Sequence, residues 1–216
     1  MNWRVDRWRR IAGLEHAFGD RLAPPPAGVK TLRQVHGRRV IDDGALGEET
    51  EGDGIASDRA GALLGIWTAD CVPVLVVAPA ARVVAAIHCG WRGSAAGIIP
   101  AALDLLARRW SVLPADVEVA LGPSIGGCCY EVGEEVREAL VVRAGNKLGN
   151  SGFGMRGERL HLDLRSFLAA EMQELGVGHI ETVGPCTSCR TDLLYSYRRE
   201  GKTGRQLSYI GWRRSS

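Results

Sequence analysis

Residues 68–97, TADCVPVLVVAPAARVVAAIHCGWRGSAAG, decide the fold because two apolar runs flank a short break within them. The runs cover residues 72–78 and 83–87, and the break is Pro79-Ala80-Ala81-Arg82. Apolar, β-branched runs of this length that are bounded by a proline-containing turn predict two paired strands. We expect the other strands and helices to pack around this hairpin.

The register of the hairpin places a cysteine and a histidine near each other at one end. A turn centred on Ala80-Ala81 pairs His88 with Pro73. Cys71 then lies two residues along from that pair and on the same face as His88, because side chains alternate along a strand. Diagonal neighbours on one face are roughly 7–8 Å apart at Cα, so one metal ion or one reacting atom can bridge the two side chains.

The polar residues at this end argue against a hairpin built only for packing. Asp70 precedes Cys71, and Cys89-Gly90-Trp91-Arg92-Gly93 follow His88. A purely structural hairpin has little use for acidic, basic and imidazole side chains at one end, because polar groups are costly to bury without partners. The sequence therefore predicts a functional site there.

The composition is that of an ordinary globular chain. The chain has 216 residues, of which 45% are hydrophobic and 24% charged, and this length fits a single domain over residues 1–216 with a weakly patterned segment at 1–30. The formal net charge of +2 is too small to argue for a nucleic-acid partner. The N-terminus is basic and lacks the apolar core of a signal peptide, and no run approaches the ~18 apolar residues of a membrane helix. We therefore expect no membrane partner.

The six cysteines lie at positions 71, 89, 128, 129, 186 and 189, which does not resemble a disulfide scaffold. Reduced thiols in a cytoplasmic protein are the simpler interpretation. Cys186-x-x-Cys189 invites a zinc or redox interpretation, but a four-cysteine zinc site needs a second well-spaced pair, and adjacent Cys128-Cys129 is a poor one. We expect 128 and 129 in the core and 186 and 189 to pack or order a loop.

The remaining patterns mix strands with helices. Ser94 is expected to cap a helix that continues to residue 110, and Asp163 to cap a helix over 164–175, because short polar side chains accept hydrogen bonds from free helical amides. Roughly eight strands and three or four helices are predicted, without regular βαβ alternation. The pattern alone predicts a mixed α/β or an α+β fold.

Four stretches resemble the YfiH/laccase-domain family, bacterial proteins labelled multicopper polyphenol oxidases and now regarded as purine nucleoside phosphorylases. They are TADCVPVLVV continuing to AIHCGWRGSAAGI, LRQVHGRRV (32–40), GPSIGGCCYEVGEEV (122–136) and CTSCRTDLLYSYRREGKTGR (186–205). The resemblance runs from about residue 31 to the end of the chain. One position departs from it, because Cys89 stands where the family pattern leads us to expect alanine.

The resemblance implies an α+β fold with a layered α/β/β/α arrangement of mixed sheets, related to cytotoxic deamidase domains. It also implies a metal site formed by His36, Cys71 and His88. Spacing alone would not have found His36. Two imidazoles and a thiolate suit zinc, with a fourth position left open for catalysis.

Copper is the less favoured metal. A multicopper oxidase needs many histidine ligands, including closely spaced His-x-His pairs. The chain has five histidines, at positions 16, 36, 88, 161 and 179, and no such pair. A multicopper oxidase therefore does not fit this sequence.

The activity implied by the resemblance is phosphorolysis of adenosine, inosine and methylthioadenosine, with deamination of adenosine as a further activity. Purine nucleoside and phosphate would be the small-molecule partners. Asp70 is the candidate for proton transfer beside the metal ligands. Arg198 and Arg199 are candidates to bind the anionic co-substrate, with Arg92 as the next, because the guanidinium fork matches phosphate oxygens.

Two alternatives stay open. By analogy with the deamidase relatives, Cys71 and His88 would form the nucleophile–base pair of a cysteine hydrolase or amidase, which requires hydrogen-bond reach between them. A non-catalytic zinc-binding protein that acts on cell-wall precursors or on a partner enzyme is the other. Metal content, thiol alkylation and nucleoside turnover separate these hypotheses.

Overall fold

The computed structural model describes residues 3–47, 49–145, 148 and 150–214. Within them the strands are β1 (Leu14–Phe18), β2 (Val29–Lys30), β3 (Val40–Asp42), β4 (Gly54–Ser57), β5 (Leu63–Thr68), β6 (Val72–Ala78), β7 (Val83–Cys89), β8 (Glu118–Leu121), β9 (Phe153–Arg156), β10 (Arg159–Leu162), β11 (His179–Thr182) and β12 (Gln206–Trp212). The α-helices are α1 (Trp91–Ala96), α2 (Ile98–Trp110), α3 (Glu134–Ala144), α4 (Leu164–Glu174) and α5 (Tyr197–Glu200). None of these helices has the length and apolar character needed to cross a bilayer.

The β6–β7 hairpin forms the centre of a six-stranded mixed sheet with the order β11-β8-β6-β7-β4-β3. Pro73 pairs with His88, which confirms the register predicted from the sequence. Every residue of both strands is buried, which explains why they read as continuous apolar runs rather than as alternating ones.

The hairpin is buried on both faces because different layers cover them. Val74 and Val76 belong to the core shared with helices α1 to α4, whereas Leu75 and Val77 belong to a second core shared with a four-stranded sheet of order β1-β12-β5-β2. Helices, six-stranded sheet and four-stranded sheet thus stack as α, β and β, which are three of the four layers of the expected α/β/β/α arrangement. The fold is mixed α+β, as predicted.

The strand count exceeds the prediction. Strands β1, β2, β4 and β9 lay outside the predicted elements, and they are short or carry polar residues inside buried stretches. The sequence of β1, Leu-Glu-His-Ala-Phe, lacks a clear strand pattern, although every residue of this strand pairs with β12. Hydrophobic periodicity is a weak signal in strands held largely by backbone pairing.

The helix after the hairpin also differs from its prediction. Gly97, at φ 86°, separates α1 from α2, so two helices stand where one was predicted. Ser94 lies inside α1, where its hydroxyl donates to the carbonyl oxygen of Gly90, so the expected cap at Ser94 was wrong. Asp163 does cap α4, accepting from the amides of Arg165 and Ser166.

The strand directions bring several loops to one end of the six-stranded sheet. β8 and β11 run parallel, with Leu121 opposite Thr182, while β6 is antiparallel to both β7 and β8. The start of β6, the end of β7 and the carboxyl ends of β8 and β11 therefore share one edge. The loops that leave this edge carry most of the residues singled out by the sequence.

Candidate metal centre

His36, Cys71 and His88 come together at this edge. One ligand atom from each lies within 4.8 Å of the others, and the two imidazole rings are 4.7 Å apart at an angle of 72°. Cys71 immediately precedes β6, His88 lies in β7, and His36 lies in the loop between β2 and β3. Gly90 packs against them so closely that a Cβ there would be 3.0 Å from Cys71 Sγ and 3.1 Å from His36 Nδ1.

Asp53 organises this site, although the sequence analysis did not single it out. Its fully buried carboxylate accepts hydrogen bonds from the amides of Val35 (3.3 Å), His36 (2.9 Å) and Gly37 (2.7 Å). The same carboxylate lies 2.8 Å from Nδ1 of His88. The available signal was an aspartate between two glycines directly before a strand, in a chain with many unremarkable acidic residues.

Two residues of the site adopt a left-handed backbone conformation. His36 has φ 58° and Asp70 has φ 88°, which is uncommon for residues other than glycine. Each such residue costs on the order of 1–3 kcal/mol and persists only where its surroundings impose it. Asp53 supplies the constraint on His36 through the amide hydrogen bonds described above.

The electrostatics of the site favour a thiolate next to an imidazolium when no cation is bound. Burial opposes ionisation of Cys71, but hydrogen bonds from His36 and His88 outweigh it and lower the pKa of the thiol to about 6. Burial also opposes protonation of His88, but Asp53 and Cys71 outweigh it and raise the pKa of the imidazole to about 9. Burial alone would raise the pKa of Asp53, but the hydrogen bonds from His88 and from the amides of Gly37 and His36 lower it below its ordinary value.

The donor set fits a borderline-soft divalent ion. Asp53 engages Nδ1 of His88 and leaves Nε2 as the nitrogen that could bind an ion, which is the usual carboxylate–histidine arrangement at zinc sites. Cys71 supplies an easily ionised sulfur, and His36 a further nitrogen. Three protein ligands with room for a fourth match a catalytic zinc site.

A cleft of about 630 Å³ opens beside His36, Cys71 and His88. This volume lies within the range of about 300–1,000 Å³ that suits small-molecule ligands. Its lining combines aromatic with cationic and acidic side chains, namely Trp67, Trp91, Tyr130, Tyr197, Asp70, Arg92, Arg198, Lys202 and Arg205.

Asp70 lies in the lining of this cleft with both carboxylate oxygens engaged. Thr187 Oγ1 donates to Oδ1 at 2.5 Å, and the backbone amide of Arg198 donates to Oδ2 at 2.7 Å. Asp70, which directly precedes Cys71, is thereby joined to the loop that carries the arginines.

Arg92 and Arg198 both line the cleft. The guanidinium of Arg92 lies 4.5 Å from the centre of the Trp91 ring, and we find no hydrogen-bond partner for it in the described part of the chain. Arg198 donates from Nη1 to the carbonyl oxygen of Glu131 at 2.7 Å and lies 5.1 Å from the centre of the Tyr130 ring. Both are placed where an anion in the cleft could reach them.

Arg199 points elsewhere. Its Nη1 donates to the carbonyl oxygens of Thr187 (2.7 Å) and Ser188 (3.0 Å), and its Nη2 donates to that of Leu194 (2.7 Å) and to Glu200 (2.6 Å). It does not contribute to the cleft lining. These contacts give Arg199 a role in fixing the loop.

The prediction that Cys128 and Cys129 lie in the core is not met. Cys128 is exposed and Cys129 half-buried, so their expected place in the core was wrong. They lie in a turn of the segment that follows β8.

The chain is similar over most of its length to known proteins. The profile of the family described as multi-copper polyphenol oxidoreductase laccase matches residues 4–213. Purine nucleoside phosphorylase YlmD of Geobacillus stearothermophilus is 39% identical over 164 residues, which cover 74% of this chain and 60% of that protein. Purine nucleoside phosphorylase YfiH of Escherichia coli is 34% identical over 180 residues, covering 83% of this chain and 72% of that protein.

The fold is shared with a solved relative. The crystal structure of YlmD from Geobacillus stearothermophilus superimposes with a TM-score of 0.87 at 28% identity, covering 99% of this chain and 97% of that one. The mixed sheets and few helices described above are therefore those of an experimentally determined fold.

Proposed function

The chain belongs to the family described as multi-copper polyphenol oxidoreductase laccase, and we propose that within this family it is a zinc-dependent purine nucleoside phosphorylase. Relatives named purine nucleoside phosphorylase support the activity, and the chain spans about 60% of the length of one and 72% of another. The observation that carries the proposal is that the His36–Cys71–His88 group opens onto a cleft lined by cationic side chains.

The proposed metal is zinc. One group of nitrogen and sulfur donors in the described part of the chain offers a three-ligand site, whereas a multicopper oxidase requires several histidine-rich sites. A zinc ion held there would supply a Lewis acid for oxygen or nitrogen atoms of the bound substrate.

Phosphorolysis defines what the protein groups have to do. An oxygen of phosphate forms a bond to the anomeric carbon of the ribose while the bond from that carbon to the purine nitrogen breaks. The purine leaves with the electron pair, so the site must stabilise or protonate an anionic base. The aromatic side chains of the cleft, such as Trp91 and Tyr130, offer apolar faces to the purine.

We assign phosphate to the neighbourhood of Arg92 and Arg198. The guanidinium of Arg92 is available for an anion, and that of Arg198 keeps donors beyond the one used by Glu131. Asp70 stays our candidate for proton transfer, since each carboxylate oxygen accepts one hydrogen bond, from Thr187 or from the Arg198 amide, and keeps a second lone pair.

The test is turnover of adenosine and inosine with and without phosphate by protein purified without a metal-binding tag. Phosphate-dependent release of free purine and ribose 1-phosphate is expected, and both are expected to be lost in Cys71→Ser and after chelation. Conversion of adenosine to inosine without phosphate tests the predicted deamination in the same experiment. Failure to release purine with any nucleoside would contradict the proposal.

A cysteine hydrolase is the second candidate, because Cys71 and His88 lie within hydrogen-bonding reach and favour the thiolate–imidazolium state. Alkylation and chelation separate the two functions. A cysteine hydrolase is inactivated by iodoacetamide and unaffected by chelators. The zinc enzyme resists alkylation at Cys71 while its metal is bound.

A further inference from the structure

Four cysteines meet at a second place in the molecule, apart from the His36–Cys71–His88 group. The Sγ atoms of Cys128, Cys129, Cys186 and Cys189 all lie within 4.8 Å of one another. Cys189 Sγ is 3.6 Å from that of Cys128 and 3.4 Å from that of Cys129. These separations are far longer than the roughly 2.05 Å of a disulfide bond, so the four sulfurs form a cluster of free thiols.

The topology explains why two distant segments supply this cluster. β8 and β11 are parallel neighbours, so the loops that follow them leave the same edge of the sheet. The loops are joined directly, because the amide of Thr187 donates to the carbonyl oxygen of Ser124 at 3.0 Å. Each cysteine pair then lies in a tight turn, with Cys129 N donating to Gly126 O at 2.9 Å and Arg190 N to Cys186 O at 3.2 Å.

The size of the cluster fits one tetrahedral ion. A zinc–sulfur bond of about 2.3 Å gives sulfur–sulfur edges of about 3.8 Å in a tetrahedron, close to the two separations that Cys189 makes. Sulfurs packed within 4.8 Å surround a single ion, since a cluster of several irons would hold its ligands farther apart.

Backbone donors converge on one sulfur of the cluster, that of Cys186. The amide of Gly126 donates to Cys186 Sγ at 3.2 Å, and the amides of Ser188 and Cys189 are directed at the same sulfur. Such donors stabilise the ionised form of a sulfur ligand. The side chain of Arg165, whose Nε is buried and without a partner in the described structure, lies against the same turn at Gly126 and offers positive charge.

We propose that Cys128, Cys129, Cys186 and Cys189 bind a single zinc ion as a tetrathiolate site. Thiols that ligate the ion lose their protons to solvent on binding. The sequence objection to this site was the adjacency of Cys128 and Cys129, but a tight turn lets neighbouring side chains converge on one point.

The site would fasten the arginine loop to the active-site edge. Thr187, between the two cysteines of the second turn, donates to Asp70, and Arg199 holds the carbonyl oxygens of Thr187 and Ser188. The same loop continues into Arg198, whose amide also binds Asp70. A zinc ion at the cluster would thus order the residues that position Asp70, independently of whether the protein is a phosphorylase.

The experiment is metal analysis of protein purified reduced and without a metal-binding tag. Wild type is expected to hold about two zinc equivalents per chain, and both Cys71→Ser and Cys189→Ser about one. Cys89→Ala is the matched control, since this cysteine belongs to neither group, and it should keep both equivalents. Cobalt substitution is expected to give the visible absorption of a tetrathiolate site in Cys71→Ser.

The outcomes are separable from those of the proposed function. If Cys71→Ser binds neither zinc nor cobalt and its four clustered thiols alkylate freely, the proposal is overturned, whatever the nucleoside assays show. Stoichiometric iron in place of zinc, or a disulfide within the cluster of the purified reduced protein, would also overturn it. Because the zinc, cobalt and alkylation measurements are made on Cys71→Ser, they test the proposal even if Cys189→Ser fails to fold.

Discussion

Asp53 and His88 are joined by a buried contact of 2.8 Å between a carboxylate oxygen and Nδ1 of the imidazole. The same carboxylate accepts three amide hydrogen bonds from the loop that carries His36. One side chain therefore sets the ring orientation of one proposed ligand and the backbone of another. The backbone repeats this link, because the amide of His88 donates to the carbonyl oxygen of Asp53 at 2.6 Å.

Asp53→Asn should weaken zinc binding at the His36 site by about 10- to 100-fold, because loss of a partner behind a histidine ligand has that effect on metal affinity. Competition with a chromophoric chelator measures the change. Asp43→Asn is a matched control, since Asp43 is also a buried carboxylate but pairs with Lys30 away from the site. Equal zinc affinity in wild type and Asp53→Asn would show that Asp53 does not support the metal.

Arg198→Gln should raise the phosphate concentration needed for half-maximal phosphorolysis by about one to two decades. A charge-assisted hydrogen bond to phosphate contributes roughly 1.5–3 kcal/mol, and each 1.4 kcal/mol corresponds to a factor of about 10. Stability should change by no more than ~0.5 kcal/mol, because the side chain is exposed. Steady-state kinetics against phosphate measure the effect, and Arg92→Gln should behave similarly.

The predicted deamination supplies the internal control for Arg198→Gln. It uses water and not phosphate, so its rate should suffer much less than phosphorolysis in the same preparation. If Arg198→Gln and Arg92→Gln both leave the phosphate dependence unchanged, the anion binds elsewhere in the cleft.

Arg199→Gln should instead destabilise the fold by about 1–3 kcal/mol while leaving the phosphate requirement of the folded enzyme nearly unchanged. Its guanidinium serves three backbone carbonyl oxygens, and a partner removed from a buried acceptor costs about this much. Denaturant unfolding measures the change. Arg198→Gln serves as the neighbouring control, and a reversed pattern between the two variants would contradict the assignment.

The central part of the fold could be predicted from the sequence because its signals are local. The hairpin register follows from two apolar runs and the length of the turn between them, and it correctly brought Cys71 beside His88. His36 was reached through the family resemblance, since a histidine in a loop carries no periodic signal. Its approach depends on Asp53, whose hydrogen bonds to the loop are tertiary contacts.

The four-cysteine cluster was missed for a related reason. Its geometry depends on β8 and β11 being parallel neighbours, and strand order is not readable from the spacing of cysteines 60 residues apart. The different uses of Arg198 and Arg199 were equally hidden. Adjacent residues of one basic motif point to a cleft and to backbone carbonyl oxygens because a short helix, α5, turns them to different sides.

His16 gives a pH-dependent prediction away from both proposed metal sites. It is buried at 2% exposure in β1, and its Nε2 accepts a hydrogen bond from the amide of Val5 at 3.0 Å, which requires the unprotonated nitrogen. Burial and the nearby Arg4 lower the pKa of His16 from 6.5 to about 4. The unfolded chain therefore binds a proton near pH 6.5 that the folded chain does not accept until about pH 4.

This difference makes the contribution of His16 to stability fully present above about pH 6.5 and progressively lost as the pH falls toward 4. Each pH unit in that window should remove up to about 1.4 kcal/mol from the free energy of unfolding, or about 3 kcal/mol in all. Carboxylates also titrate in this range, so the measurement is the difference between wild type and His16→Gln, in which the amide can still accept from Val5 without titrating. Denaturant unfolding from pH 7.5 to 4 should show wild type losing stability more steeply than His16→Gln. Parallel curves for the two proteins would show that His16 does not titrate with the folding transition.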